Sequence, residues 1–468
     1  MSKLESLPVV VIGAGPVGLA AAAHLTARGM SYLVLEASDG VAAGFRSTAH
    51  VRLFSPWKMN IDAAAARVLE QHGWQAPDPD GMPSAGELRS LYLEPLAAAL
   101  SPNIHYGARV ERISRRGFDK VKTVGREQAP YVLRVRVDGK ADELEARAVI
   151  DASGTWATPN WMGASGLPAL GEQEHAARIR YGMPDILGAE RERYVHKRVL
   201  VVGSGHSAAG SLIALSELAE QDTRTRIAWA IRGDNLERIF GGGAKDGLPE
   251  RGSLGLTLRR LMQAGALELF RAFQIEAVRE HAGQLQITGL DSDGMPQQIS
   301  GVDEIIVATG ARPDLSLARE LRLRLDPWLE STEQLAPLID PNLHSCGSVP
   351  PHGHRELAHP EVGYYALGAK SYGRAPNFLM ATGYEQARSV VAALAGDMAA
   401  ADDVQLVLPE TGVCVTDFAG SSAGGCCAPE AAKPAALGCC PAPVAQKPSA
   451  SGCCPTPDGA KAASGCCG

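Results

Sequence analysis

VVVIGAGPVGL, residues 9–19, is the stretch on which the reading of the whole chain turns. Its first four residues, Val9 to Ile12, are apolar without alternation, as in a strand buried on both faces. The run passes into Gly13-Ala14-Gly15-Pro16-Val17-Gly18 and then into an alanine-rich helical stretch over 19–25. Gly13 allows a tight turn, Gly15 lets backbone approach a pyrophosphate, and Gly18 lets the helix pack closely on the strand. Phosphates then lie at the helix N-terminus, where N–H groups and the helix dipole favour negative charge. A second apolar strand over 32–35 ends in Glu36, where a carboxylate accepts hydrogen bonds from an adenosine ribose. A glycine turn alone is common; strand, turn, helix, strand and terminal acid within 28 residues make a dinucleotide site.

The same order returns later. Residues 198–202 read as a buried strand, Gly203-Ser204-Gly205-His206-Ser207-Ala208 as the turn, and a helix follows to about Leu218. After the next strand, 226–231, there is no carboxylate; Ile231 is followed by Arg232. A guanidinium fork pairs bidentately with a ribose 2′-phosphate, although a surface charge at a strand end is the plain alternative. Different tips imply different nucleotides: Glu36 suits the ADP half of FAD or NAD, and Arg232 suits NADPH. Two matching strand exits, Asp151-Ala152-Ser153-Gly154 and Val307-Ala308-Thr309-Gly310, bracket the second unit. The expected fold class is therefore α/β, two Rossmann-like dinucleotide-binding domains with the second inserted into the first. The boundaries read as 1–158 and 306–400 for the first domain, 159–305 for the second, and 401–468 for a linker and tail. Ser84 and Glu87 have capping-box spacing and open a helix to about Leu100. Short antiparallel excursions are expected over 104–149 and 285–301, a strand over 364–367, and an amphipathic helix over 383–390.

The chain has 468 residues, enough for two or three domains, and a net charge of −7 with no basic stripe, which argues against nucleic acid. No apolar run reaches the ~18–20 residues that span a bilayer. The first strand begins almost at once, so no leader is expected and the cytoplasm is the expected compartment. Of ten cysteines, eight occupy the last 43 residues as adjacent pairs: Cys426-Cys427, Cys439-Cys440, Cys453-Cys454 and Cys466-Cys467. From 419 onward there is no aromatic residue, so that segment is expected to stay disordered. Adjacent thiols chelate soft ions such as As(III), Hg(II) or Cu(I); zinc sites space their cysteines more widely. Incidental cysteines, or vicinal disulfides, are the alternative.

Two dinucleotide folds joined by A-[ST]-G crossings resemble the FAD- and NADPH-dependent flavoprotein monooxygenases, relatives of dimethylaniline and Baeyer–Villiger monooxygenases. The resemblance spans about residues 8–397 and rests on GAGPVG (13–18), Glu36, RLFSPW (52–57), DASGTW (151–156), GSGHSA (203–208), VATGARP (307–313) and ATGYEQARS (381–389). HSCGSVPPHG (344–353) and KSYGRAPNF (370–378) are similar to flavoproteins encoded beside arsenic-resistance genes. The resemblance implies FAD on Gly13, Gly15, Pro16, Gly18 and Glu36, with Arg46, Ser55 and Trp57 toward the flavin. Asn377 and Thr382 would flank a helix N-terminus at the flavin N1–C2 edge. Gly203, Gly205, His206, Ser207 and Arg232 would hold NADPH. Asn60 would be a hydrogen-bond partner for the reacting oxygen, or else the cap of a helix over 61–69. His352, His354 and His359 lack accompanying ligands at zinc spacing and read as a loop lining the flavin pocket.

The chain departs from the family at its hinge. In F-x-G-x-x-x-H, Gly171 and His175 are kept, but Ala169 replaces Phe and Ile179 stands four residues after the histidine. Ser348 follows Gly347 where a G-D pair is expected, and no redox-active cysteine pair accompanies the two nucleotide sites, which speaks against a disulfide reductase. Three functions stay open: an oxygen-inserting monooxygenase acting on a small molecule through sulfur or arsenic, a reductase or oxidase without oxygen insertion, and a thiol buffer on an inactive flavoprotein scaffold. A homodimer is an assembly this class allows.

Overall fold

In the computed structural model, residues 4–240, 249–344 and 349–406 are described. The first unit starts with β1 (Val9–Ile12), α1 (Pro16–Ala27) and β2 (Tyr32–Leu35). It continues through α2 (Ala63–Glu70), β3 (Ile104–His105), an antiparallel set β4 (Ala108–Arg115), β5 (Tyr131–Val137) and β6 (Lys140–Ala146), and then β7 (Ala148–Asp151). The second unit holds β8 (Ile179–Tyr181), β9 (Arg198–Val202), α3 (His206–Gln221), β10 (Arg226–Ala230), α4 (Pro249–Gln263) and β11 (Glu268–Phe270). A second antiparallel set follows, β12 (Gln274–His281), β13 (Gln284–Leu290) and β14 (Pro296–Val302), and then β15 (Glu304–Val307). The chain returns to the first unit with β16 (Tyr364–Ala366) and α5 (Met380–Leu394).

Two five-stranded parallel sheets result, in the orders β16-β7-β1-β2-β3 and β11-β10-β9-β15-β8. Both are built around the glycine-turn strand, β1 or β9, whose side chains are buried on both faces as its unbroken apolar run requires. α1 is buried over residues 17–25, because alanines let it sink between the sheet, α2 and α5. The fold class is the expected one, with two differences in detail. Ile104–His105 joins the parallel sheet rather than the antiparallel set, pairing with β2. Ile179–Tyr181, immediately after the hinge, is an edge strand of the second sheet, too short to announce itself.

The segment that follows the first strand exit, 158–160, runs antiparallel beside the second exit. Asn160 N donates to Gly310 O at 2.9 Å and Arg312 N to Thr158 O at 3.0 Å, while Thr309 Oγ1 donates to Asn160 O at 2.6 Å. The capping box forms, with Glu87 N on Ser84 Oγ at 3.1 Å and Ser84 N on Glu87 Oε2 at 2.7 Å, but a wide turn over Arg89–Leu93 interrupts the helix that follows. No helix among the described residues is long and apolar enough to cross a membrane.

Candidate functional site

At the first turn, Gly13 has φ +98°, and an added Cβ would lie 2.7 Å from the carbonyl oxygen of Ala152 on the neighbouring crossing. Gly203 repeats this at φ +131°, with Ala308 O at 2.4 Å from an added Cβ. The strand exits thus close each turn from below. Above the turns there is room: among the described residues no atom beyond the chain neighbours and the helix's own backbone lies within 4 Å of a Cβ built on Gly15 or Gly205. Each of these glycines is the N-cap of its helix and offers no side chain to the helix N–H groups. Open approach, uncapped helix start and dipole make both turns fit a pyrophosphate. Gly18 is held against the turn, where a Cβ would meet Gly13 O at 2.0 Å, and Ala208 at the matching place is fully buried.

Glu36 ties the end of β2 to the turn: Oε2 accepts from Ala14 N at 2.8 Å and Oε1 from Ser38 N at 2.9 Å and Ser38 Oγ at 2.6 Å. α5 starts beside α1, so close that a Cβ on Gly383 would meet Val17 Cγ2 at 2.6 Å. α5 has no side-chain cap, and Thr382 is buried in its first turn. Three residues before this helix, Asn377 Nδ2 donates to Ile339 O at 3.2 Å and His344 O at 3.4 Å, while its buried Oδ1 has no hydrogen-bond partner among the described residues. An orphaned acceptor beside an uncapped helix start fits a ligand with N–H and carbonyl groups, as the pyrimidine edge of a flavin has.

The other expected residues have neighbours of their own. Arg46 forms an ion pair with Asp39 at 2.5 Å, which holds the Asp39 carboxyl below the usual range. Trp57 is buried in the first core. Asn60 is fully buried; its amide donates to Ser55 O at 2.7 Å and Pro56 O at 2.9 Å and accepts from Ser55 Oγ at 3.0 Å. With both amide hydrogens engaged, Asn60 supports the Ser55 turn and has no donor left for a reacting oxygen. It does not cap the next helix either; Asp62 does, accepting from Ala64 N and Ala65 N at 2.9 Å. His206 and Ser207 begin α3, and the His206 ring meets Phe54 edge-on with centroids 5.5 Å apart. That contact brings the RLFSPW segment against the second turn. Arg232 is exposed and donates to Ala164 O at 3.3 Å.

The three histidines have separate partners. His352 Nε2 lies 2.9 Å from Gln386 Nε2, His354 Nε2 lies 2.9 Å from Asp402 Oδ1, and His359 Nδ1 accepts from Arg324 N at 3.2 Å. Burial pushes the His359 imidazole down to about 4. Among the described residues no group of three or more potential ligands is placed to hold a metal. All ten cysteines, including the four tail pairs, lie outside the described residues.

Two polar clusters gave no signal in the sequence. Lys370 and Asp151 form a buried ion pair at 2.7 Å at the end of β7, joined by Ser153 Oγ at 2.9 Å from Nζ and by Tyr364 Oη at 3.1 Å from Asp151. In the hinge, buried Glu172 accepts from Met162 N at 2.9 Å, Ala169 N at 2.7 Å and Tyr181 Oη at 2.5 Å. Burial, with Glu172 as neighbour, raises the Tyr181 hydroxyl. Gly171 is fixed against β12, where a Cβ would meet Val278 O at 2.1 Å, and Ala169 is buried in the core of the second unit.

A family model described as pyridine nucleotide-disulphide oxidoreductase matches residues 10–347. Indole-3-pyruvate monooxygenase YUCCA1 of Oryza sativa subsp. japonica is 32% identical over 201 residues, which is 42% of this chain and 42% of that protein. The match thus spans about two fifths of that relative. Among solved structures, bacillithiol disulfide reductase from Bacillus cereus aligns with TM-score 0.60 at 18% identity over 83% of this chain and 99% of that one. The FAD-bound cadaverine monooxygenase DfoA of Erwinia amylovora aligns with TM-score 0.60 at 15% identity over 89% of this chain and 99% of that one. At such identities the likeness is one of fold.

Proposed function

The chain belongs to the pyridine nucleotide-disulphide oxidoreductase family, with FAD and NADPH as its cofactors, and we propose that it is a monooxygenase acting on a soft heteroatom, sulfur or arsenic. The observation that carries the reading is the pair of open, uncapped glycine turns, joined where residues 158–160 pair with the second strand exit, with no cysteine pair before Cys426. A disulfide-reducing member needs a thiol pair beside the flavin; an oxygen-transferring member needs position and dryness. FAD, when bound, supplies hydride acceptance from NADPH and reaction with oxygen.

The chain's own residues do the remaining work. Gly13, Gly15, Pro16 and Gly18 with the start of α1 receive the FAD pyrophosphate, and Glu36 accepts from the ribose. The start of α5, Thr382 and Asn377 face the pyrimidine edge, where helix N–H groups stabilise negative charge. Gly203, Gly205, His206 and Ser207 receive the NADPH pyrophosphate. Ser55, held by Asn60, and Arg46 border the flavin side, and Phe54 on His206 keeps the two nucleotide sites together. The resemblance of HSCGSVPPHG and KSYGRAPNF to flavoproteins encoded beside arsenic-resistance genes is what favours arsenic as the heteroatom. The paired cysteines of the tail bind the same class of thiophile, as As(III) or another soft ion.

A second reading has one specific support. Ala169 leaves the hinge without the phenylalanine of the monooxygenase motif, which favours an NADPH-dependent reductase or oxidase that inserts no oxygen. One assay decides between them. The purified yellow protein is given NADPH with arsenite, methylarsenite or organic sulfides while NADPH, oxygen, peroxide and product are followed. Oxygenated product in step with NADPH oxidation is expected; peroxide alone establishes the second reading, and no NADPH oxidation overturns both. Equilibrium dialysis of the full chain and of a chain ending at 406 with arsenite isolates the tail. Equal binding by the two would remove the tail from the proposal.

A further inference from the structure

Arg232, on which the NADPH assignment rests, reaches back to the carbonyl of Ala164. One open space at this end of the second sheet, among the described residues, lies away from it. It is a cavity of about 410 Å³ lined by Asp234, Leu236, Phe240, Arg259, Met262 and Arg271, with Arg232 not among its lining residues. We propose that Arg271, assisted by Arg259, binds the 2′-phosphate of NADPH in this cavity and is the principal determinant of nucleotide preference. The inference rests on the NADPH reading and changes which side chain carries it.

Position is the first support. Dinucleotides lie across the carboxyl ends of parallel strands, with the adenosine half over the strands that follow the first glycine-turn helix. Those strands here are β10 and β11, and Arg271 directly follows Phe270, the last residue of β11. The strand ends are zipped beyond their last pair, with Ile231 N donating to Phe270 O at 3.0 Å and Ala272 N to Gly233 O at 3.0 Å. Arg271 is therefore carried on a braced backbone beside the loop that begins at Arg232.

Chemistry is the second. Arg271 and Asp234 are 3.8 Å apart, an ion pair without a hydrogen bond, between two exposed groups. A phosphate dianion meeting the guanidinium fork bidentately outcompetes one loosely held carboxylate. Arg259 stacks over Phe240, Cζ 4.6 Å from the ring centroid, and gives the same cavity a flat floor and a second guanidinium. A flat floor beside two cations suits an adenine next to a 2′-phosphate.

The test titrates the FAD-loaded full chain calorimetrically with 2′,5′-ADP and with ADP, which differ by the 2′-phosphate. The intact protein should prefer 2′,5′-ADP. Arg271→Gln should lose about tenfold in 2′,5′-ADP affinity with ADP unchanged, and Arg271→Lys should recover part of it, keeping charge without the fork. If Arg232→Gln loses the preference while Arg271→Gln and Arg259→Gln stay within about twofold of the parent, this inference fails and the NADPH reading stands. If the parent protein itself does not distinguish the two ligands, the NADPH reading fails and takes the inference with it.

Discussion

The two nucleotide units share one mechanical design and differ in what they bury. Each has a central strand buried over at least four residues, a glycine turn closed by a neighbouring strand exit, and a helix without a side-chain cap. The first unit, however, keeps a network of buried ionic groups. Glu361 is held by Arg115 at 2.8 Å and Arg126 at 2.7 Å, and Lys370 by Asp151 at 2.7 Å. In the second unit the corresponding crossing is made by neutral hydrogen bonds between Thr309 and Asn160. The difference teaches that the strand–turn–helix element needs no buried charge for its own sake. The ionic groups of the first unit instead join segments far apart in sequence, as Lys370 and Asp151 join β7 to the loop after β16.

The largest expected effect breaks that contrast at the crossing. Lys370→Met leaves Asp151 buried and uncompensated, and should cost about 3–5 kcal/mol in denaturant unfolding, whereas removing both charges with Asp151→Leu should recover much of the loss. No recovery in the double variant would show that the pair is not what Lys370 contributes. Next in size is His359, again confined to the first unit. Its folded value of about 4 lies below the ordinary 6.5, so its contribution to stability is complete above pH 6.5 and is lost as the pH falls toward 4. The loss should approach ~3 kcal/mol, and His359→Asn, whose amide oxygen can still accept from Arg324 N, should flatten that part of the pH–stability profile.

Smaller again is a paired substitution that sharpens the shared design. Gly13→Ala and Gly203→Ala each force a Cβ against a crossing carbonyl at a positive φ, at a cost of about 2 kcal/mol. Their functional losses should separate. Gly13→Ala should purify without flavin absorbance, while Gly203→Ala should stay yellow and lose saturation by NADPH. A colourless Gly203→Ala protein would reverse the assignment of the two turns.

What was legible in the sequence and what was not divide along the same line. β1, β9, both glycine turns and the paired exits are local patterns, set by β-branched runs and by glycines at positions only glycine can occupy. The ionic network was not legible, because Asp151 and Lys370 are 219 residues apart and neither is unusual in its own neighbourhood. β8 was missed because three residues at a sheet edge carry no periodicity. Glu172 hid inside a hinge motif that draws attention to Gly171 and His175, although Glu172 and Tyr181 make the buried bond there. Asn60 stands out in the sequence by its place in RLFSPW-K-M-N, yet its amide is consumed by the turn it closes.

The smallest effect concerns the tips of the second strands, where the two units differ in charge sign. Glu36 has both carboxylate oxygens engaged by backbone and Ser38, so its geometry is set before any ribose arrives. Arg232 is exposed with one bond of 3.3 Å to Ala164, so its geometry is loose. A loosely held cation contributes to a phosphate through charge more than through fixed geometry, and that contribution is screened by salt. Arg232→Glu should therefore lower the NADPH-to-NADH preference, read as the ratio of kcat/KM values, by only about twofold at low salt, equivalent to about 0.4 kcal/mol, and by less at high ionic strength, well short of the loss at Arg271. An unchanged ratio at low salt would remove Arg232 from nucleotide selection and leave the choice to the cavity lined by Arg259 and Arg271. A tenfold loss that persists in high salt would show instead that Arg232 engages the phosphate through a fixed hydrogen-bonded fork, with a geometry as set as that of Glu36.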